Sequence, residues 1–213
     1  MSERLDLIKS LIIPADVIAD VGCDHGRIAE HCARNVPCKN VIASDVSDKC
    51  LLKAKTLLGG CNNVEFRCCD GIAYDCDEAI IAGMGGILIA DIIRSATVKP
   101  KTLIVSPHRD HYVLRKTLCE LGYGIDRDIP IIDRGKFYAV IRAVMGGGNN
   151  KLSETQMLFG AECDVPSEAL RTQLKKLYNT YAAAADKNKV KLDQVVAAMR
   201  LQGVAPDGDA HVK

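Results

Sequence analysis

The feature that most constrains the fold of this chain is a succession of five strand patterns that alternate with helix patterns between residues 17 and 122. The run VIADVG at 17–22 is continuously apolar and ends at glycine, as a buried parallel strand does. The segment RIAEHCARN at 27–35 then repeats apolar residues at helical spacing. Such an alternation predicts an α/β fold with a doubly wound parallel sheet and right-handed crossovers.

The segment at 124–144 does not continue this alternation. It has two strand patterns around a turn near residues 133–135 and no helix pattern between them. Two strands joined in this way predict an antiparallel edge to the otherwise parallel sheet.

A second region follows the flexible stretch GGGNN at 146–150. It is rich in helix-forming residues, and its apolar side chains recur at a spacing of three and four: Leu170, Leu174, Leu177, Tyr181, Leu192, Val195 and Met199. This pattern fits one or two helices packed as a short coiled-coil hairpin, with LSETQMLFG as a partner helix. The alternative is a helical cap on the sheet. The predicted domains are 1–148 and 149–213.

Composition places the chain among globular proteins, because 48% of its 213 residues are hydrophobic and 26% are charged. No apolar run approaches the ~20 residues of a membrane span. The start MSERLDLIKS lacks the features of a signal peptide, so we expect a cytoplasmic protein. In that compartment we expect the ten cysteines to be reduced. The sequence has no C-x-x-C pair, the spacing that would indicate a metal site.

Polar residues stand where the predicted strands end. In ADVGCDHG, the pair Asp24–His25 lies between Gly22 and Gly26, and Asp45 and Asp70 end the next two strands. Ligands of such sheets bind outside the carboxyl ends of the strands. The sequence therefore predicts a ligand site at that edge. Each acid taken alone has an alternative role as a helix N-cap.

The acids also select among nucleoside ligands. A dinucleotide needs bare backbone N–H groups for its pyrophosphate, which the Asp24 carboxylate would repel. S-adenosylmethionine has a sulfonium, an ammonium and no phosphate, so it matches better. We expect Asp20 and Asp24 to hold the ammonium, Asp45 the ribose hydroxyls, and Asp70 with Gly71 the adenine. A nicotinamide dehydrogenase is correspondingly disfavoured.

Several motifs resemble the TrmK family, bacterial S-adenosylmethionine-dependent methyltransferases that modify N1 of adenosine 22 in tRNA. They are ADVGCDHGRIAEH, CDGI, AGMGGILIADII, LRKTLCELGYGI and FYAVIRA. The resemblance implies a class I (Rossmann-like) methyltransferase domain followed by a coiled-coil domain. The cofactor-binding residues predicted from residues and resemblance together are Asp20, Gly22, Asp24, His25, Gly26, Asp45, Val46, Asp70, Gly71, Ala82, Gly83 and Met84.

Two segments depart from the family pattern. Ser106–Pro107–His108 stands where the family commonly has Gln-Pro-Asn, and DVSDKC stands where a Gly-Pro segment is usual. The first departure falls near the expected substrate pocket, so the target nucleotide stays open at this point.

The resemblance implies chemistry on an adenine whose N1 lone pair attacks a methyl group and whose ring becomes cationic. A nearby carboxylate would stabilise that charge, which makes Asp24, with His25, the predicted catalytic residues. The adenine must be unpaired or extruded to expose N1. Because the net charge is only +1, contacts to tRNA must come from local basic residues. The candidates are Arg4, Arg27, His108, Arg109, Lys175 and Lys176.

A monomer is favoured, with tRNA as partner and with no metal and no membrane contact. Two other functions stay open from the sequence. One is methyl transfer from the same cofactor to a substrate other than RNA, and the other is a non-catalytic RNA-binding module.

Overall fold

The structure, a computed structural model, describes residues 2–206. Within them the chain forms one seven-stranded sheet and eight α-helices. The strands are β1 (Val17–Val21), β2 (Asn40–Asp45), β3 (Val64–Cys68), β4 (Glu78–Ala82), β5 (Thr102–Ser106), β6 (Tyr123–Asp133) and β7 (Lys136–Met145). The helices are α1 (Glu3–Leu11), α2 (Arg27–Asn35), α3 (Asp48–Leu57), α4 (Gly86–Ser95), α5 (His111–Glu120), α6 (Glu154–Phe159), α7 (Glu168–Ala182) and α8 (Ala185–Leu201).

The strand order in the sheet is β3-β2-β1-β4-β5-β7-β6. The first five strands are parallel, and β7 pairs antiparallel with both β5 and β6. The predicted α/β sheet with an antiparallel edge is therefore confirmed. The alternation itself is incomplete, because residues 69–77 join β3 to β4 without a helix. The strand order reverses between β1 and β4, which makes this the switch point where ligands bind.

Apolar side chains cover both faces of the sheet, as expected for central parallel strands. On one face Ile80 and Ile104 pack with Ile8 of α1 and Leu51 of α3. On the other face Ile81 and Val105 pack with residues of α4 and α5. Since both faces are buried, polar groups of the central strands concentrate at the strand ends.

The β6–β7 hairpin turns through two residues, Arg134 and Gly135, since Asp133 pairs with Lys136. Both turn residues have positive φ, 50° and 75°. This is the pattern of a type I′ turn, whose twist matches that of the strands.

Helix α1, which the sequence analysis did not predict, is attached to the turn of the β6–β7 hairpin. Ser2, its N-cap, donates from Oγ to Asp133 Oδ2 (2.9 Å), and the Glu3 amide donates to Asp133 Oδ1 (3.1 Å). The Arg4 guanidinium lies over the Tyr138 ring of β7, 4.5 Å from its centroid. These contacts hold the start of the chain beside the carboxyl edge of the sheet.

The region after β7 is joined to the sheet through a buried ion pair. Arg115 of α5 donates to both carboxylate oxygens of Asp128 (2.7 and 3.1 Å), and both side chains are almost fully buried. Arg115 also donates to the Met157 carbonyl (3.0 Å), and the Ala161 amide donates to Asp128 Oδ2 (2.7 Å). The predicted boundary at 148/149 thus precedes α6, a helix that packs closely on α5.

Helices α7 and α8 form an antiparallel pair. The start of α7 meets the end of α8, because the Ser167 amide donates to Gln202 Oε1 (2.8 Å) and Arg171 Nε donates to the Gln202 carbonyl (3.0 Å). Six of the seven predicted apolar positions share one cluster: Leu170, Leu174, Val195 and Met199 are buried, and Leu177 and Tyr181 pack against them. The seventh, Leu192, does not belong to this cluster. Residues 207–213 of the predicted second domain lie outside the described residues. No helix within the described part of the chain is both long and apolar enough to span a bilayer.

Candidate active site

A cleft of about 900 Å³ opens at the carboxyl edge of the sheet. The loops after β1, β2, β3 and β4 form one side, and α1 with the β6–β7 hairpin forms the other. The structure brings eleven of the twelve predicted cofactor-binding residues to this cleft. They are Asp20, Gly22, Asp24, His25, Asp45, Val46, Asp70, Gly71, Ala82, Gly83 and Met84.

Glycine is required at two positions of the loop after β1. Gly22 has φ 70°, a conformation that favours glycine, and a Cβ there would meet only the flexible end of the Met84 side chain. A Cβ on Gly26, which has φ 73°, would lie 2.9 Å from Ala54 Cβ of α3. Gly22 thus allows the tight turn after β1. Gly26, predicted to contact the cofactor, does not line the cleft and instead allows α2 and α3 to pack closely.

Asp20 lies at the base of the cleft and is only 3% exposed. Burial, with smaller contributions from the charges of Asp45 and Asp24, raises the pKa of its carboxyl group to about 7. The Ala29 amide, which donates to Asp20 Oδ2 (3.0 Å), opposes that rise in pKa. This hydrogen bond ties the end of β1 to the first turn of α2 and fixes the loop between them.

Asp24 sits in the same loop with its carboxylate exposed. His25 Nδ1 donates to Asp24 Oδ2 (2.6 Å), and the Cys50 thiol donates to Asp24 Oδ1 (3.5 Å). The hydrogen bond from His25 is the largest cause that holds the pKa of Asp24 below its ordinary value. The Asp24 amide donates to Asp45 Oδ2 (3.0 Å). This hydrogen bond links the loop after β1 to the end of β2.

Acidic and basic side chains both line the cleft, with most of the acids on one side and most of the cations on the other. The side formed by the strand ends has the acids Asp20, Asp24, Asp45 and Asp70. Of the four basic lining residues, Arg27 begins α2 on this acidic side, and Arg4, Arg134 and Lys136 lie on the other side together with Asp133. Within residues 2–206, none of these four cations lies within 4.0 Å of an acidic group. An acidic lining fits a ligand with cationic groups and no phosphate, and the unpaired cations fit a polyanion.

Four of the predicted RNA-binding residues lie outside the cleft lining. His108 and Arg109 belong to the loop after β5, and two backbone hydrogen bonds attach this loop to the loop after β4. The His108 amide donates to the Met84 carbonyl (2.9 Å), and the Gly86 amide donates to the Arg109 carbonyl (2.9 Å). The His108 ring meets the Tyr138 ring edge-on at 5.6 Å. Lys175 and Lys176 are exposed on α7. Arg4 and Arg27 are brought to the cleft.

Apart from Arg4, the sequence analysis did not select the residues of the opposite wall. Ser2, Arg134, Lys136 and Tyr138 all line the cleft. The sequence did contain a signal for this wall, the tetrapeptide DRGK at 133–136, in which a cation stands on each side of the turn glycine. In the described part of the chain, no group of three or more His, Cys, Asp or Glu side chains is arranged to hold a metal ion.

The comparisons with known proteins agree with this architecture. The methyltransferase domain family matches residues 1–141, about two thirds of the chain, and the protein belongs to that family. A curated relative, the tRNA (adenine(22)-N(1))-methyltransferase of Bacillus subtilis, is 27% identical over 225 residues, which cover 94% of each chain. Among methyltransferases, the resemblance of this chain to the TrmK family is confirmed.

Solved structures extend the similarity over nearly the whole length. The B. subtilis m1A22 tRNA methyltransferase TrmK is 26% identical, with a TM-score of 0.75 over 95% of this chain and 97% of that one. Sp1610 from Streptococcus pneumoniae, solved in complex with S-adenosyl-L-methionine, is 25% identical, with a TM-score of 0.85 over 95% of this chain and 99% of that one.

Proposed function

We propose that this protein transfers a methyl group from S-adenosylmethionine to N1 of an adenosine in tRNA, at position 22. The observation that carries the proposal is a cleft in which four acids gather at the strand ends and three cations without an ion pair in the described residues, Arg4, Arg134 and Lys136, lie on the opposite wall. The names of the curated relative and of TrmK from B. subtilis support the same reaction and the same nucleotide.

S-adenosylmethionine, when bound, supplies a methyl group activated by a sulfonium. In the proposed arrangement Asp20 and Asp24 hold the ammonium of the cofactor, with Asp24 as the exposed carboxylate, whose pKa is lowered mainly by the hydrogen bond from His25. Asp45 accepts from the ribose hydroxyls and Asp70 from the adenine amino group. The complex of Sp1610 with S-adenosyl-L-methionine supports this choice of cofactor.

The reaction needs little proton chemistry, because adenine N1 presents an in-plane lone pair. Positioning and stabilisation of the positive charge that develops on the ring are then the main contributions of the protein. Asp24 and His25 are the proposed catalytic pair: the Asp24 carboxylate opposes that charge, and His25 orients the carboxylate through the 2.6 Å hydrogen bond.

We further propose that the α7–α8 pair is a coiled-coil appendage that contacts the body of the tRNA. Lys175 and Lys176 are both exposed on α7 and have no ion-pair partner within residues 2–206. A monomer in the cytoplasm and a domain boundary at 148/149 stay predictions.

The decisive experiment is methyl transfer to purified tRNA with radiolabelled cofactor, followed by mass spectrometry of the nucleosides. We expect 1-methyladenosine in tRNA and none in tRNA whose adenosine 22 is replaced by guanosine. Label in protein or metabolite fractions instead would favour another substrate. Absence of cofactor binding in calorimetry would favour a non-catalytic RNA-binding module.

A further inference from the structure

We infer that the tip of the β6–β7 hairpin, Arg134 with Lys136, is a clamp for the phosphates of the RNA strand that carries the target nucleotide. The inference deepens the proposed function and rests on it. Both side chains line the cleft from the wall opposite the acids, and both are exposed.

The first argument is the backbone of the turn. Arg134 has φ 50°, in the left-handed region that residues other than glycine, asparagine and aspartate rarely adopt. A type I′ turn at this place prefers Asn-Gly, and Gly135 is already present. Arginine at the first turn position therefore costs stability that asparagine would not. A residue kept at such a cost points to a role for its guanidinium outside the turn.

The second argument is charge. Asp133, the acid next to Arg134 in the turn, is occupied by the Ser2 hydroxyl and the Glu3 amide of α1. Arg134 and Lys136 are left without an ion pair in the described part of the chain. Both therefore stay available to an external anion.

The third argument is placement. The tip is held rigidly, because Asp133 fastens α1 to it and Arg4 lies over Tyr138 two residues beyond Lys136. Arg4 also lines the cleft, so three cations stand on this wall. An adenine that enters the cleft toward the acids must carry its flanking phosphates past these cations. Arginine and lysine are the usual partners of such phosphates.

The test uses the full-length protein and compares Arg134→Asn, Arg134→Lys and Lys136→Ala with Lys39→Asn, a control that removes one charge at the opposite edge of the sheet. Filter binding measures the Kd for tRNA at several salt concentrations, and calorimetry measures the Kd for S-adenosylmethionine. Thermal unfolding of each variant reports whether the turn is intact.

We expect Arg134→Asn and Lys136→Ala each to weaken tRNA binding about three- to tenfold and to reduce the salt slope by about 1. Arg134→Lys should retain most of the affinity. The Tm of Arg134→Asn should equal or exceed that of the parent, and cofactor affinity should not change. A purely structural Arg134 would instead give a lower Tm in Arg134→Asn.

Equal tRNA affinity for Arg134→Asn, Lys136→Ala and Lys39→Asn would overturn the clamp, and so would a parent protein that does not bind tRNA. A parent that binds tRNA through the clamp but forms no 1-methyladenosine would instead refute the proposed function while the clamp stands.

Discussion

At the residue scale, carboxylates within the same fold have opposite environments. Asp24 is exposed and hydrogen-bonded, so its pKa is lowered, whereas Asp20 is buried and its pKa is raised to about 7. Glu78, at the start of β4, is fully buried, and neither carboxylate oxygen has a hydrogen-bond partner. The residue type alone predicts none of these differences, because each one comes from burial and from neighbours distant in sequence.

Asp24→Asn tests the catalytic assignment. Asp24 has φ 47°, and asparagine tolerates this conformation, so the loop should keep its shape while the charge is lost. We expect methyl transfer to fall about 10- to 100-fold, since one strong electrostatic contact is removed. Single-turnover kinetics at saturating cofactor separates the chemical step from binding, and Asp75→Asn, in the loop between β3 and β4, is the control. A variant that binds cofactor and transfers methyl at the parent rate would eliminate Asp24 as a catalytic residue.

Glu78→Gln tests the effect of the buried acid on the pH dependence of stability. Burial raises the pKa of Glu78 to about 7, and the nearby Ile13 backbone and, to a smaller extent, the charge of Arg142 only partly oppose that rise. Because the unfolded chain releases this proton near pH 4.5 and the folded chain near pH 7, Glu78 makes stability fall as pH rises between these values. Asp20 acts in the same direction.

Removing the ionisable group should therefore raise the free energy of unfolding at pH 8 by up to about 3 kcal/mol relative to the parent. The change at pH 4 should be small. Urea unfolding at pH 4, 6 and 8 measures the effect. A variant with the same decline between pH 4 and 8 as the parent would show that Glu78 is not the cause.

At the element scale, the local patterns identify most elements and place their ends within a few residues. The five parallel strands, the two closing strands and helices α2–α5 were predicted from periodicity. Helix α1 was not, because its nine residues have little amphipathic contrast and its position depends on Asp133, far along the chain. The helix pair α7–α8 shows the predicted three–four spacing of apolar residues in one cluster.

The double variant Lys175→Ala/Lys176→Ala tests α7 as a tRNA-binding element. Both side chains are exposed, and alanine favours the helix, so thermal stability should hold. We expect tRNA affinity to fall several-fold and the salt slope to decrease by about 1 to 2. Lys39→Ala/Lys101→Ala removes the same charge at the amino ends of the strands and serves as the matched control. Equal affinities for the two double variants would count against an RNA-binding role of α7.

At the scale of the whole molecule, the buried Arg115–Asp128 pair joins the sheet to the region that follows it. Two backbone groups of the following region complete this pair: Arg115 also donates to the Met157 carbonyl, and Asp128 also accepts from the Ala161 amide. A truncation before α6 would leave this pair without those partners. A truncation after residue 165 keeps them, so it is the better way to study the methyltransferase domain without α7 and α8.

Arg115→Met tests this junction. The substitution leaves the Asp128 carboxylate buried without its cation, which costs about 3 to 5 kcal/mol in comparable pairs. For a protein of this size, we expect the Tm to fall by roughly 10 °C. Differential scanning calorimetry measures the change, and Arg94→Met, at a half-exposed arginine on α4, is the control. A Tm within 2 °C of that control would show that the pair does not stabilise the junction.

The sequence by itself determined the sheet, the order of the strand and helix patterns, and the acids at the strand ends. These follow from local periodicity and from the rule that the ends of parallel strands share one edge. Only the tertiary structure decided the opposite wall of the cleft, where Ser2 and Asp133 meet across 131 residues. Such contacts depend on how completed elements pack together, and no short stretch of sequence encodes that packing.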